Sequence, residues 1–116
     1  MTETRYLLGF PFATITLKSR DIECMIDTGF DGALLLPLQT IQEHRLHKTG
    51  FIKCTLANGS ISFTDTFAAE VNWLDSRKTI TVIGMEADFA LIGMQLLANA
   101  KTTLQPCKNI LTIEPV

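Results

Sequence analysis

Apolar and polar positions alternate with a period of two along most of the chain, the spacing of strands that bury one face. Ala13, Ile15 and Leu17 alternate with Phe12, Thr14 and Thr16. After a polar cluster at 18–21, Ile22, Cys24 and Ile26 share one face while Glu23, Met25 and Asp27 share the other. Residues 33–36 (Ala-Leu-Leu-Leu) form a continuous apolar run, the pattern of a strand buried on both faces. Pro37 suits the first turn of a helix. Residues 38–46 are mostly helix formers and Gly50 lies just beyond, which predicts one short helix. Alternation resumes over 51–56. Asn58-Gly59 then signals a hairpin, since both residues tolerate positive φ. The return strand begins at 60–67 and its alternation continues through Ala69, Val71 and Trp73. A turn at 75–77, a β-branched strand at 79–83 and a loop at 84–88 follow. An apolar run at 89–92, broken by Gly93, leads into a helix-prone stretch at 94–100, a turn at 105–109 and a last strand at 110–114. The sum predicts an all-β domain of seven or eight short strands, a barrel or sandwich, with one or two short helices.

Composition narrows this picture. A length of 116 residues predicts a single domain spanning 1–116, and 47% hydrophobic residues, seven Phe and one Trp among them, suffice for a core. A net charge of −2 without any basic block argues against nucleic acid and against an anionic membrane surface. The N-terminal stretch is polar, then briefly apolar until Pro11, unlike a signal peptide, and no run reaches the roughly 18–20 apolar residues of a membrane span. Cys24, Cys54 and Cys107 are far apart, odd in number and without CxxC spacing, which predicts buried, reduced thiols in a cytoplasmic protein. His44 and His47 have no Cys or acidic ligand set beside them, so no metal and no cofactor is expected.

The chemistry concentrates at residues 25–37, where Asp27-Thr28-Gly29 closes one apolar strand and a second apolar run follows. A carboxylate there needs a partner or a purpose, because burying it unpaired costs several kcal/mol or forces it to take up a proton. As a turn residue, Asp27 can simply cap the backbone. As a catalyst of amide hydrolysis it needs a second carboxyl nearby. Two carboxyls that share one proton supply both the base that deprotonates water and the acid that polarises the carbonyl. Gly29 lets the backbone approach and offers an N–H to the carboxylate, and the Thr28 hydroxyl can lock the turn. Asp31 either contacts a substrate backbone or pairs with a cation such as Arg20. Trp73 reads as core or interface filler, and Met94 and Gln95 as helix surface.

Asp27-Thr28-Gly29, between Met25-Ile26 and the apolar run 33–36, resembles the active-site turn of the retropepsin-like aspartic proteases. Leu91-Ile92-Gly93-Met94-Gln95-Leu96-Leu97 resembles that family's second element, with Asn58-Gly59 between the two where the family carries its flap. Asp-Thr-Gly-Phe followed by Leu-Pro is similar, more narrowly, to a prokaryotic branch of small single-domain proteins. The resemblance implies a closed acid-protease barrel supplying half of an active site. With one Asp-Thr-Gly per chain it implies a C2 homodimer in which Asp27 of each copy meets on the axis, since an isologous interface sets a residue near the axis against itself. Residues near 6–10 and 110–114 become interface candidates. Gly29, Phe30 and Asp31 would line a groove for an extended peptide, with Leu91 nearby and Asn58 and Gly59 in the flap tip at 57–60. Met94-Gln95 stands where the family often has Arg-Asp or Arg-Asn, and the flap tip holds a single Gly. These departures keep open a second reading, a peptide-binding or assembly module with weak or no catalysis.

Overall fold

The computed structural model describes residues 3–55 and 58–116. Among them are ten strands: β1 (Thr4–Leu7), β2 (Phe10–Leu17), β3 (Arg20–Ile26), β4 (Leu34–Pro37), β5 (His47–Thr55), β6 (Ile61–Trp73), β7 (Ser76–Met85), β8 (Ala90–Ile92), β9 (Ala100–Gln105) and β10 (Ile110–Pro115). Helices α1 (Leu38–His44) and α2 (Met94–Leu97) and a 3-10 turn (Pro106–Lys108) complete the described elements. Left-handed residue pairs fold neighbouring strands into hairpins: Leu8-Gly9, Lys18-Ser19 and Leu74-Asp75 all have positive φ. That backbone matches the twist of the flanking strands.

Eight strands form one sheet in the order β1-β2-β3-β8-β4-β7-β6-β5, and a further pairing of β2 with β6 (Thr16 with Asn72, Leu17 with Val71) closes it into a barrel. Strand β6 makes this closure by its length. Its first half pairs with β5, its second half with β7, and Val71 and Asn72 reach β2. Trp73, Ile15, Leu17, Leu34, Leu36, Ile92, Val71, Val82 and Cys24 are the largest side chains sealed inside. The all-β expectation and the alternating faces of β2 and β3 match this arrangement. Trp73 is a core residue, and its Nε1–H donates to the Leu96 carbonyl at 3.0 Å.

Several boundaries differ from the sequence reading, each for a local reason. The helix after Pro37 stops at His44, where Arg45 turns left-handed at φ 51° and its N–H reaches the Gln42 carbonyl. Gly50 lies instead within β5, at an irregularity in its pairing with β6. The expected loop at 84–88 begins later, because β7 continues to Met85. Gly84 pairs with Leu36, and a Cβ there would stand 2.6 Å from Ile41 Cδ1 on α1. The turn expected at 75–77 is centred on Leu74-Asp75, with Ser76 already in β7. The helix-prone stretch 94–100 yields only α2, and the chain leaves as β9, which pairs with β10 in a separate two-stranded sheet. Strand β1 was not expected either. Its Arg5 reaches over β2 to fork onto Glu23 of β3 at 2.5 and 2.6 Å. That hydrogen-bonded pairing holds the Glu23 carboxyl below its ordinary range. The two ends of the chain lie side by side, with Thr4 Oγ1 donating to the Leu111 carbonyl at 2.9 Å and Tyr6 Oη to that of Ile110 at 3.2 Å.

Candidate active site

Strands β3 and β4 flank the segment that carries Asp27, but they are not neighbours. Strand β8 runs between them, parallel to β3 (Met25 beside Leu91, Ile26 beside Ile92) and antiparallel to β4 (Leu34 beside Ile92). The Asp27 segment is therefore not a turn between paired strands. It is a loop that arches over the end of β8, where Gly93 leads into α2.

Backbone hydrogen bonds fasten this loop to the second element along its length. The Asp27 N–H donates to Ile92 O at 2.9 Å, Gly93 N–H to Ala33 O at 3.0 Å, Met94 N–H to Phe30 O at 2.8 Å and Gln95 N–H to Gly32 O at 3.1 Å. The first N–H groups of a helix lack partners within it. Here the loop carbonyls of Phe30 and Gly32 supply them, and no side chain caps α2. One interaction satisfies the helix start and fixes the loop.

At the head of the loop, Asp27 is half-buried and its Oδ1 accepts the Gly29 N–H at 2.9 Å. Thr28 is exposed, and among the described residues its hydroxyl has no hydrogen-bond partner. It therefore does not lock the turn within this chain. Asp31 is exposed and forms no ion pair among the described residues, so the pairing with Arg20 is absent.

Beyond Gly29 opens a cavity of about 590 Å³, roofed by the β5–β6 hairpin. Gly29, Phe30, Asp31, Leu35, Ile83 and Met85 form its floor and wall, and Ile52, Lys53, Cys54 and Thr55 its roof. The structure thus brings Gly29, Phe30 and Asp31 together at one groove. Leu91 lies between Met25 and Leu35 within the sheet, outside the cavity wall. Asn58 and Gly59 lie beyond the roof at the hairpin tip. Gly59 has positive φ (85°), and Asn58 Oδ1 accepts the Ser60 N–H at 3.0 Å. Residues 56 and 57, within the expected strand and flap tip, lie outside the described residues. The floor residues Leu35, Ile83 and Met85 were not anticipated. Their apolar strands announced burial, and only the sheet order reveals that their ends open onto the groove.

Among the described residues no three His, Cys, Asp or Glu side chains gather to hold a metal, and no helix is long and apolar enough to cross a membrane. Asp31 brings a carboxylate to the groove wall, and Asp27 is hydrogen-bonded to the wall residue Gly29.

A retropepsin-like aspartic protease from Rickettsia conorii matches with a TM-score of 0.71 at 20% identity, over 97% of this chain and 88% of that one. EIAV protease, solved with the inhibitor HBY-793, matches with a TM-score of 0.71 at 15% identity, over 88% and 100%. The foamy viral protease–reverse transcriptase, solved with an RNA/DNA hybrid, matches at 0.64 and 12% identity, over 84% of this chain and 13% of that one. No family model and no curated protein matches the chain. The chain has an all-β, retropepsin-like fold.

Proposed function

We propose that this chain is an aspartic endopeptidase that acts as a homodimer on extended peptides. The observation that carries this reading is the fastened loop, which holds a half-buried Asp27 carboxylate hydrogen-bonded by Gly29, a residue of the groove wall. One such carboxyl per chain is half of the required pair, and two-fold symmetry supplies the other. Thr28, exposed beside Asp27, is available to the facing copy. The exposed Leu8 and Phe10 at the β1–β2 turn and the edges of the β9–β10 hairpin are the interface candidates. Three free cysteines support a cytoplasmic setting.

In this reading the two Asp27 carboxyls hold one proton and one water between them. The ionised carboxylate takes a proton from the water as its oxygen bonds the peptide carbon, and the protonated partner gives its proton to the carbonyl oxygen. The tetrahedral species then collapses. The C–N bond breaks, the nitrogen leaves with the proton that came from water, and one hydroxyl of the tetrahedral carbon returns its proton to the partner carboxylate, which leaves a carboxylic acid and restores the shared proton. A peptide lying between loop and roof hydrogen-bonds through its backbone and places alternate side chains in the groove.

Asp27→Asn tests the mechanism. It is nearly isosteric, so fold and assembly are expected to persist while cleavage of a mixed peptide library, followed by mass spectrometry from pH 4 to 7, is lost. Wild-type cleavage surviving in the variant contradicts the assignment. A second reading, a binding or assembly module with little turnover, is favoured by Asp31 forming no ion pair among the described residues and by exposed Met94 standing where the family often has a basic residue. It predicts peptide binding without cleavage at every pH.

A further inference from the structure

Phe30 follows the Asp-Thr-Gly triplet directly, and its backbone is held from both sides. Its N–H donates to Asp27 O at 3.2 Å and its carbonyl accepts the Met94 N–H at 2.8 Å. Its ring lies across two glycines. A Cβ on Gly32 would stand 2.6 Å from Phe30 Cζ and 2.8 Å from Cε1, and one on Gly93 would stand 2.5 Å from Cδ2. Neither glycine has positive φ, so neither is there for backbone freedom. Gly93 also sits against the Gly32 and Phe30 carbonyls, so the loop itself needs it bare. Gly32 is different: the only close atoms a Cβ would meet there belong to the Phe30 ring, with Ile83 Cδ1 next at 3.5 Å. Gly32 is a seat for that ring.

The ring is half-buried in this seat, and Phe30 lines the cavity next to Gly29, whose N–H donates to Asp27. Apolar Leu35, Ile83 and Met85 continue the wall. A ring wedged between two backbones cannot swing aside for a bulky substrate group as a freely rotating side chain can.

We propose that Phe30, seated on Gly32 and Gly93, is the specificity-determining residue of the groove, admitting aliphatic side chains of about leucine size beside the scissile bond and rejecting large aromatic ones. This rests on the reading of the groove as a peptide site. The substrate class that follows is an extended segment with Leu-, Val- or Met-like residues next to the reacting bond.

The seat makes two variants act in opposite directions. Phe30→Ala removes the wall and enlarges the pocket. Gly32→Ala leaves Phe30 in the sequence but evicts its ring from the seat toward the groove. Phe30→Leu keeps the loop filled and serves where Phe30→Ala folds poorly. The probes are hydroxyl-bearing statine octapeptides with Ala, Leu or Trp in turn on either side of the statine. Their binding is measured calorimetrically with Asp27 intact, since the statine unit has no scissile amide at that position and turnover plays no part. The parent protein is expected to favour the Leu over the Trp peptide by about tenfold, the scale of discrimination by pocket size. Phe30→Ala is expected to abolish or reverse the preference, Phe30→Leu to weaken it, and Gly32→Ala to lower the affinity for both Leu and Trp peptides relative to Ala. A purely structural Phe30 lowers all affinities together. Peptide binding with an unchanged Leu-to-Trp ratio in Phe30→Ala and Phe30→Leu overturns this proposal and leaves the peptide-groove reading standing. No binding of any peptide by the parent protein removes both.

Discussion

Cys24 is a thiol kept from reacting. It is fully buried on β3, and burial, with the Glu23 charge adding to it, pushes its pKa up. The folded chain therefore favours the protonated thiol more than the unfolded chain does. Below about pH 8.5, the ordinary thiol value, both states keep the proton and stability is indifferent to pH on this account. Above it the unfolded chain releases the proton while the folded chain retains it, so stability falls by about 1.4 kcal/mol per pH unit. Urea unfolding of wild type and Cys24→Ala between pH 7.5 and 10 is expected to differ by that slope. Iodoacetamide is expected to label the half-buried Cys54 and exposed Cys107 in the native protein and to reach Cys24 only after unfolding. Rapid native labelling of Cys24 contradicts its placement. At this scale the sequence was most readable where a residue's environment is set by its immediate neighbours. Asp27 and Gly29 meet two residues apart, so their hydrogen bond could be foreseen. The Phe30 ring rests on Gly93, and nothing local pairs those two positions.

Helix α2 spans only Met94–Leu97, too short to be stable alone, since isolated helices need about 12–15 residues. Its two ends are held from outside: the loop carbonyls of Phe30 and Gly32 meet its first N–H groups, and Trp73 Nε1–H meets its Leu96 carbonyl. Trp73→Phe removes that donor, strands a buried carbonyl and leaves a gap. The expected loss is about 2–4 kcal/mol, read as a lower urea midpoint with an unchanged slope. A shift under about 0.5 kcal/mol refutes the role of this contact as the helix anchor. Elements with one face in the core, such as β2 and β3, were legible from alternation. Strand β9 was not. Lys101, Thr103, Leu104 and Gln105 are exposed and only Ala100 and Thr102 are half-buried, so no apolar face alternates along it. Strand β1 was hidden for the same reason, held by a surface Arg5–Glu23 fork as much as by apolar packing. The order of strands was beyond reach, because pattern says which face is buried and not which edge it meets.

The whole-molecule prediction concerns stoichiometry. If each active unit needs Asp27 from two copies, then Asp27→Asn chains poison wild-type ones on mixing. At fixed total concentration, after subunit exchange, peptidase activity is expected to fall as the square of the wild-type fraction. A linear fall points to a site complete in one chain. Dilution of wild type is expected to lower the rate per chain, with sedimentation reporting monomer over the same range. One feature of the fold bears on how such a unit comes into being. Because β8 lies between β3 and β4, Asp27 stays unmoored until Ile92 and Met94, far downstream in sequence, have left the ribosome. A nascent chain therefore carries the acid before its scaffold exists, and under the proposed function translation itself would delay cleavage until the barrel can close.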